Sequence, residues 1–387
     1  MTCAHFGICG GCSLQHITYP AQLAQRTGQF ERATGLSVAS PMIGMPVQDD
    51  GMPWAFRQKV SFVFGSDARE NLVMGHYARG SKRIIPVREC PVHSARGNRI
   101  AFALRDRLAA AGIRAAGARR AGILRHVIVR STRDDREAIA MLVVTRNDKA
   151  LRAPVRALLA SADRPDGFFI NINDKPGSLM VGERTIKVDG VGHVRENAVG
   201  RPFLISPPAF FQTNVVAAAH LVRLVTGAVS SARRVLDLFS GSGLFGVALA
   251  MAGTQVVAVE ENRQSVKDAE ANRRLNRIPE DRLRLINSSV EDALPRLARE
   301  SFDAVVLDPP RDGCSLAVLS EVFGRLKPRH VVYVSCNPRA LARELPRIVA
   351  QGYEPVTAQP VDMFPHTEHI EAVIVFTRKP VSSTARC

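Results

Sequence analysis

Residues 235–246 read VLDLFSGSGLFG, a short apolar run that ends in a glycine-rich turn and then becomes apolar again. A strand, a glycine turn and a helix start in this order are typical of the first unit of a parallel sheet, where the ligand loop follows the first strand. Downstream, apolar runs of strand length continue to alternate with helical stretches and short loops. We therefore predict an α/β fold with a doubly wound, mostly parallel sheet for this part of the chain.

The predicted strands of this sheet are apolar runs bounded by polar or glycine residues. They are Val235–Phe239, Gln255–Glu260, Leu283–Asn287, Ala304–Asp308, His330–Ser335 and Glu371–Thr377. Upstream, strand-like pieces at 59–64, 124–130 and 138–144 and a helical run over 96–112 predict an α+β module. The boundary between the two regions is predicted near residue 200.

Composition favours a globular protein with an anionic partner. The chain has 387 residues, 46% of them hydrophobic, and a formal net charge of +16. A length of this kind predicts two or three domains. The excess of Lys and Arg favours nucleic acid, because basic side chains bind a phosphate backbone and release its counterions. The alternative is an arginine-rich composition of the source genome.

The sequence also predicts the compartment. The start of the chain lacks a basic segment followed by an apolar one, and no later stretch stays apolar long enough to span a bilayer. The seven cysteines are too few and too unevenly spaced for a disulfide scaffold. We expect a soluble protein of the reducing cytoplasm that does not bind membranes.

Two cofactors fit the glycine loop. Gly241, Gly243 and Gly246 satisfy G-x-G-x-x-G, which is also a dinucleotide signature. Asp237 argues against a dinucleotide, because its carboxylate lies where the pyrophosphate would be, whereas S-adenosylmethionine would present a cationic amino group or sulfonium there. Glu260, at the end of the second strand, would accept the ribose hydroxyls of either cofactor.

A cysteine at a strand end is the candidate nucleophile. Cys336 follows the predicted strand His330–Ser335, and the carboxyl ends of parallel strands are where open α/β sheets keep their chemistry. An isolated buried cysteine is more often structural, so the interpretation depends on its neighbours. The run Asp-Pro-Pro-Arg from Asp308 to Arg311 ends another strand, and the arginine suits a phosphate or a uracil carbonyl.

These residues predict covalent methylation of a pyrimidine. A thiolate that adds to C6 of uracil makes C5 nucleophilic enough to take a methyl group from a sulfonium, after which a base removes the C5 proton. Glu371, just before the last predicted strand, is the candidate base, and Glu368 is a rival on chemical grounds. An exocyclic-amine methyltransferase, which would not need Cys336, is the alternative.

A second group of cysteines is typical of a metal centre. Cys3, Cys9 and Cys12 lie close together near one end of the chain, and Cys90 is followed by proline. Four thiolates hold either zinc or an iron-sulfur cluster, and this uneven spacing is less like the paired knuckles of zinc. The spacing therefore favours a cluster.

Over most of its length the chain resembles the RNA uracil-C5 methyltransferase family. The matching motifs occur in the family's order. They are the N-terminal cysteines with His16, Tyr19, Gln22 and Leu23, then WAFRQK at 54–59, FFQTN at 210–214, DLFSGSG at 237–243, DPPR at 308–311, SCNP at 335–338 and FPHTEHIE at 364–371. The resemblance implies a C-terminal Rossmann-like, S-adenosylmethionine-dependent domain and an N-terminal α+β RNA-binding region with a four-cysteine iron-sulfur site.

The resemblance also assigns residues and boundaries. It implies that Cys336 is the nucleophile and Glu371 the base, and it leaves Asp237 outside the direct cofactor contacts. The implied ligands of S-adenosylmethionine are Gln212, Phe239, Glu260 and Asp308, and those of a [4Fe-4S] cluster are Cys3, Cys9, Cys12 and Cys90. The expected organisation is 1–95 for the cysteine segment, 96–200 for a central RNA-binding domain, 201–378 for the methyltransferase domain and 379–387 for a tail.

The resemblance further suggests a substrate. Gln58 departs from the family pattern by replacing a usual asparagine. The substrate is indicated by two other features: no small β-barrel domain precedes the cysteines, unlike in the larger rRNA members, and tRNA-specific bacterial members generally lack the four cysteines. The chain is therefore most similar to the compact type that acts on 23S rRNA. The alternatives are a tRNA uracil-C5 methyltransferase, an amine-directed RNA methyltransferase and a non-catalytic metal-containing RNA-binding protein.

The expected RNA contacts are basic and the expected assembly is a monomer. The N-terminal part would bind the RNA backbone through basic side chains while the target uridine flips into the pocket at Cys336. The basic residues are Arg79, Lys82, Arg83, Arg119 and Arg120. The cluster is expected to support folding or RNA docking, since the methylation chemistry needs no electron transfer.

Overall fold

The computed structural model of the protein describes residues 3–117, 122–175 and 180–380. They form two compact units, each assembled from separate stretches of the chain. The first unit contains 1–18, 46–208 and 212–215, and the second contains 19–45, 209–211 and 216–387. Within the described ranges, none of the helices has the length and apolar character needed to cross a membrane. Arg119, Arg120 and the last seven residues of the predicted tail, 381–387, lie outside these ranges.

The helices and strands are numbered along the chain. The helices are α1 Tyr19–Thr34, α2 Ala95–Ala110, α3 Arg152–Leu159, α4 Val215–Ala228, α5 Leu244–Met251, α6 Arg263–Leu275, α7 Val290–Leu297, α8 Leu316–Leu319 and α9 Pro338–Ala350. The strands are β1 Lys59–Ser66, β2 Leu72–Tyr77, β3 Ile84–Pro86, β4 Leu124–Ser131, β5 Ala138–Val144, β6 Gly167–Ile172, β7 Arg184–Gly190, β8 Val194–Ala198, β9 Arg201–Ile205, β10 Arg234–Leu238, β11 Gln255–Glu260, β12 Leu283–Asn287, β13 Ala304–Leu307, β14 His330–Ser335, β15 Tyr353–Val361 and β16 Glu371–Arg378. A 3₁₀ turn precedes α3, and a π-helical stretch continues α8.

The first unit is a mixed sheet with a helix packed on it. Its strand order is β3-β2-β1-β4-β5-β6-β7, in which β5 and β6 are parallel and the other neighbouring pairs are antiparallel. Helix α2 begins where the side chain of Ser94 accepts a hydrogen bond from Gly97 N–H at 2.9 Å, which caps the helix. One face of α2 buries Ile100, Leu104 and Leu108 in the core of this unit, so the α+β module has its own hydrophobic core.

The second unit has the predicted α/β architecture. Its strand order is β12-β11-β10-β13-β14-β16-β15, and the first five strands in this order are parallel to one another. The chain runs outward from β10 in both directions, so that β11 and β13 flank it. Ligands of doubly wound sheets bind at such a reversal, beyond the carboxyl ends of the strands. The doubly wound, mostly parallel sheet is confirmed, and the six predicted strands agree with the observed ones to within one residue at each end.

Strand β15 is absent from the sequence prediction. It is antiparallel to β16, which is itself antiparallel to β14, so the sheet ends in a hairpin. The strand contains Pro355 and Pro360, and proline cannot donate a hydrogen bond to a neighbouring strand. It lies at the sheet edge, where the missing donors are tolerated. Because of the two prolines, its sequence is not recognisable as a strand.

Residues 19–45 belong to the second unit, whereas the sequence interpretation grouped them with 1–95. Phe30 and Met42 are buried in the core of the second unit. The N–H of Ala39 donates to the carbonyl of Ala358 at 2.8 Å, and Ile43 N–H donates to Pro360 at 3.0 Å. The contacts that hold this segment are thus made with residues more than 300 positions away, which local sequence patterns do not encode.

Candidate active site and candidate metal centre

The glycine loop between β10 and α5 is fixed by its backbone. Phe239, Gly241 and Gly243 have positive φ angles of 63°, 55° and 86°. Glycine adopts this region without a Cβ penalty, whereas a phenylalanine there is strained and needs support from its surroundings. The N–H of Gly241 donates to Glu260 Oε2 at 2.9 Å. The loop is therefore held against the end of the neighbouring strand.

Glu260 is positioned as a ribose ligand would be. It is the last residue of β11, and its Oε1 accepts a hydrogen bond from Asn262 N–H at 2.7 Å. Together with the bond from Gly241, this orients both carboxylate oxygens beside the glycine loop. Such an arrangement suits a cofactor ribose at the strand end.

Asp237 is the most unusual carboxyl group beside the loop. It is fully buried in β10, and neither of its oxygens has a hydrogen-bond partner among the described residues. Burial, with the negative charge of Asp308 next, raises its pKa to about 8, although the nearby Gly246 amide lowers it somewhat. A Cβ on Gly246 would lie 3.2 Å from Asp237 Oδ2, so this glycine keeps space beside the carboxyl group. A buried carboxyl group that is influenced by the Gly246 amide but satisfied by no well-formed hydrogen bond is suited to bind a cation.

We expect Asp237→Asn to stabilise the ligand-free protein at alkaline pH and to weaken cofactor binding. The pKa of Asp237 is raised from 3.8 to about 8, so the unfolded state loses the proton first. Stability is then lost as pH rises through this interval, and the loss is complete above it. The asparagine variant should show a smaller fall in melting temperature between these pH values, measured by calorimetry.

The matched control is Glu261→Gln, which removes the same charge at an exposed position of the neighbouring loop. S-adenosylhomocysteine carries the same cationic amino group as S-adenosylmethionine. It should bind Asp237→Asn at least about 10-fold more weakly than it binds the unsubstituted protein, because a charge-assisted hydrogen bond contributes roughly 1.5–3 kcal/mol. Equal affinity for both variants would show that the Asp237 carboxylate does not bind the cofactor.

Two further carboxyl groups lie at the strand ends. Asp308 directly follows β13, its N–H donates to Leu238 at 3.3 Å, and burial raises its pKa to about 7. Glu371 is the first residue of β16 and is 4% exposed. Burial first, and then the negative charge of Asp308, raise the pKa of Glu371 well above its ordinary value.

Cys336 lies beside Glu371. In the antiparallel pairing of β14 and β16, Ser335 is opposite Ala372, so Cys336 and Glu371 are the next residues at that end. Burial, followed by the charges of Glu371 and Asp308, raises the pKa of the Cys336 thiol to about 12, while the Arg311 guanidinium lowers it. Without a ligand the thiol is therefore protonated at neutral pH. A cationic ligand nearby would favour the thiolate.

The two candidate bases differ in exposure. Cys336 opens into a groove of about 900 Å³ that is also lined by Glu368. Glu368 is exposed to solvent, whereas Glu371 is buried at the strand end. Three arginines line the same groove, and they are Arg32, Arg311 and Arg339. A basic groove that leads to a thiol suits an anionic substrate.

A buried network holds the loop before Glu371. Arg26 Nη1 lies 2.7 Å from Asp362 Oδ1, and both side chains are fully buried. Tyr19 Oη donates to Asp362 Oδ2 at 2.7 Å, and Gln22 Oε1 accepts from His366 N–H at 3.0 Å. Helix α1 therefore fixes the segment that leads into the candidate base.

The other predicted residues are distributed over the two units. Gln212 is buried in the first unit, whereas Phe239, Glu260 and Asp308 belong to the second. Three predicted RNA-contacting residues are exposed around the turn between β2 and β3, and they are Arg79, Lys82 and Arg83. Arg119 and Arg120 lie outside the described residues.

The four cysteines of the predicted metal site converge in the first unit. Cys3, Cys9, Cys12 and Cys90 line one small cavity of about 70 Å³. Burial raises the pKa of Cys12 to about 11 and that of Cys90 to about 12, and the charges of the other thiols add to the effect. Half-buried thiols that oppose each other's ionisation are suited to bind a metal, which replaces their protons.

The spacing of these thiols bears on the kind of metal. Among the described residues, the Cys or His trio whose ligand atoms all lie within 4.8 Å of one another is His76, Cys90 and His93. No trio of the four thiols is that compact, and tetrahedral zinc would need sulfur atoms roughly 3.8 Å apart. The four thiols are therefore more widely spaced than the ligand atoms of that trio.

Sequence reasoning missed His76, His93 and the buried Arg26. The Cys90-x2-His93 spacing was a usable signal for His93, because two ligand types separated by two residues commonly share a metal. His76 lies in β2, and only the folded sheet brings it to Cys90. Arg26 gives no local signal, because its partner Asp362 lies far away in the sequence.

Comparison with known proteins agrees with this geometry. Residues 203–379 match the model of the tRNA (uracil-5-)-methyltransferase family. An uncharacterized RNA methyltransferase of Gloeobacter violaceus is 35% identical over 96% of this chain and 81% of its own length. One of Listeria innocua is 32% identical over 97% of this chain and 83% of its own.

A solved structure is similar over both units. The tRNA (uracil-54, C5)-methyltransferase of Pyrococcus abyssi, in complex with S-adenosylhomocysteine, has a TM-score of 0.77 and 27% identity, and the match covers 95% of this chain and 86% of that one. The chain belongs to the tRNA (uracil-5-)-methyltransferase family of RNA methyltransferases.

Proposed function

We propose that the protein methylates C5 of uracil in RNA with S-adenosylmethionine as methyl donor. The observation that supports this most directly is that Cys336 and Glu371 are the residues next to the last β14–β16 pair, Ser335 with Ala372, and that the Glu371 charge acts on the Cys336 thiol. Asp308 belongs to the same electrostatic group. An exocyclic-amine methyltransferase would have no use for a thiol and a buried carboxyl group placed side by side.

Cys336 is the proposed nucleophile. Its thiolate forms a bond to C6 of the target uracil, and the electron pair of the C5–C6 double bond moves into an enolate of the ring. S-adenosylmethionine, when bound, supplies an electrophilic methyl group on its sulfonium. The positive charges of Arg311 and of the S-adenosylmethionine sulfonium favour the thiolate of Cys336 over the thiol. They offset the effect of burial, which raises the pKa of this cysteine.

Glu371 is the proposed base. After C5 has been methylated, its carboxylate accepts the C5 proton, the C5–C6 double bond forms again, and the bond from C6 to the Cys336 sulfur breaks. The sulfur leaves with the electron pair of that bond, so the cysteine is regenerated as thiolate. Burial raises the pKa of Glu371, and a carboxylate of raised pKa is the stronger base.

We propose that Phe239, Glu260 and Asp308 hold the cofactor in the second unit, while the role of Gln212 stays a prediction from the family resemblance. Glu260 is oriented by Gly241 and Asn262 to accept ribose hydroxyls. Asp237 adds a buried negative charge for the cationic amino acid end. In this arrangement Asp237 is a binding residue rather than a member of the packing core.

We propose 23S rRNA as the substrate on the sequence resemblance, and tRNA as the second candidate. The Pyrococcus abyssi relative, which acts on a tRNA uracil, favours the second candidate. The test is a reaction of the purified protein with S-adenosylmethionine and separate transcripts of each RNA, followed by nucleoside mass spectrometry. We expect 5-methyluridine in one RNA class, whereas methyl groups only on exocyclic amines would contradict the proposal.

We propose that Cys3, Cys9, Cys12 and Cys90 hold a [4Fe-4S] cluster in a folding or RNA-docking role. The cluster, when bound, supplies a charged cross-link between the N-terminal segment and the turn at Cys90. We infer a cytoplasmic monomer, as expected from the sequence.

We expect Cys12→Ser to lose most of its iron and sulfide and to melt at a lower temperature than the anaerobically purified parent. The reason is that metal-binding free energy contributes to folding where the ligands lie on separate segments. Iron analysis and calorimetry measure both effects. Cys314→Ser is the control, since Cys314 lies in the second unit. An unchanged iron content in Cys12→Ser would contradict the assignment.

A further inference from the structure

Two histidines and one cysteine form a compact group at the edge of the cysteine cavity. One ligand atom each from His76, Cys90 and His93 lies within 4.8 Å of the other two. All three residues line the cavity with the N-terminal cysteines. The proposed cluster uses Cys90 but neither histidine, so this group needs its own explanation.

The backbone holds the group in place. His93 N–H donates to the Cys90 carbonyl at 3.0 Å, which closes a tight turn through Pro91. Asn98 Nδ2 donates to the same carbonyl at 3.0 Å. His76 enters from β2, where it is paired with Ile85 of β3. Ligands from a C-x2-H turn and from a strand thus converge with little freedom to move apart.

One ring nitrogen of the buried His93 side chain lacks a hydrogen-bond partner among the described residues. The residue is 3% exposed, and the unpaired nitrogen is Nδ1. A buried polar nitrogen left unpaired costs about 1–3 kcal/mol, and native proteins retain few such groups. The imidazole rings of His76 and His93 have centroids 5.3 Å apart at an interplanar angle of 81°. No carboxylate is present in this group to pair with either ring.

Neutral imidazoles and a thiolate are the ligands that zinc prefers. With Zn–N near 2.0–2.1 Å and Zn–S near 2.3 Å, tetrahedral ligand atoms lie roughly 3.3–3.7 Å apart. In this structure the three ligand atoms lie within 4.8 Å of one another. Small side-chain rotations bring them from that separation to the spacing that zinc requires.

We propose that His76, Cys90 and His93 bind a single divalent ion of the zinc type. The Cys90 thiol loses its proton on binding, and the fourth position is left for Cys12 or water. Because Cys90 is also a proposed cluster ligand, occupancy by the single ion and by the cluster exclude each other. This competition rests on the proposed cluster, whereas the single-ion site does not.

The test separates the two sites in the full-length chain. In the variant Cys3→Ser/Cys9→Ser/Cys12→Ser, the proposed cluster ligands are reduced to Cys90, while the trio is intact. We expect this variant to bind one equivalent of Co²⁺, with thiolate-to-cobalt charge-transfer absorption and the visible bands of four-coordinate cobalt. Zn²⁺ should displace the cobalt and bleach the spectrum.

Three further substitutions in that background give the controls. His93→Phe and His76→Phe keep an aromatic ring against Phe62 and should lower cobalt affinity at least about 100-fold, more than loss of a supporting residue does. His5→Ala, which changes another lining residue of the cavity, should leave the affinity unchanged. Cobalt binding without charge transfer, or binding unaffected by His93→Phe in protein of native circular dichroism, would overturn the proposal.

A second measurement uses the chain without serine substitutions, in case the triple variant does not fold. Zn²⁺ added to metal-free protein before anaerobic cluster reconstitution should slow iron uptake, and His93→Phe should remove that inhibition. Equal inhibition in both proteins would contradict competition for Cys90. If neither protein took up iron, while the unsubstituted chain bound Co²⁺ with charge transfer and His93→Phe lost that binding, the single-ion site would stand and the cluster assignment would fail.

Discussion

Glu371→Gln is expected to accumulate RNA covalently attached to Cys336. The glutamine cannot accept the C5 proton, so the reaction stops after methyl transfer and before the carbon–sulfur bond breaks. Turnover should fall about 10²–10⁴-fold, the range expected for loss of a general base. Denaturing electrophoresis and intact-mass analysis, with S-adenosylmethionine and either RNA class, would detect the adduct.

Three substitutions, at Glu368, Cys336 and Cys314, are the controls for the adduct experiment. Glu368→Gln removes the rival base, which is exposed in the groove, and should retain turnover without an adduct. Cys336→Ala in the Glu371→Gln background should abolish the adduct, whereas Cys314→Ala, a substitution of another half-buried thiol in the same unit, should not. A stable adduct in Glu368→Gln and none in Glu371→Gln would reverse the assignment.

The second large effect is expected at Arg26, in the network that supports the base. Arg26→Met leaves Asp362 buried without its cationic partner, which lies 2.7 Å away. Breaking one half of a buried ion pair costs about 3–5 kcal/mol. We expect a melting temperature lower by several degrees and slower release of RNA from Cys336, because Arg26 also donates to the carbonyls of Phe364 and His369.

A double variant distinguishes the ion pair from simple packing. Asp362→Asn in the Arg26→Met background removes the unpaired charge and should recover part of the lost stability, a coupling that a double-mutant cycle measures. Arg347→Met, at an exposed position of α9, controls for the substitution itself. Additive losses for the two buried substitutions would show that they do not act as a pair.

Some parts of the fold and site were accessible from sequence because they are local. The run 235–246 specifies a strand, a glycine turn and a helix start within a dozen residues, and the positive φ angles of Gly241 and Gly243 follow from it. Cys336 was identifiable because the apolar strand before it and the proline after it locate the strand end. These features depend on backbone preference and short periodicity, which neighbouring residues determine.

Other parts depended on contacts between distant segments. Strand β15 contains two prolines and becomes a strand through pairing with β16. Helix α1 lies among the first residues of the chain, yet its Arg26 pairs with Asp362. His76 meets Cys90 because the sheet of the first unit brings β2 beside the turn at Cys90.

The sequence by itself determined the α/β class, the strand ends that carry Asp308, Cys336 and Glu371, and the two groups of candidate site residues. Only the tertiary structure decided which carboxyl groups are buried together, and hence why the pKa values of Asp237, Asp308 and Glu371 are raised. Residue identity fixes which chemistry is available, whereas desolvation and the distance between charges exist only after distant segments have packed together.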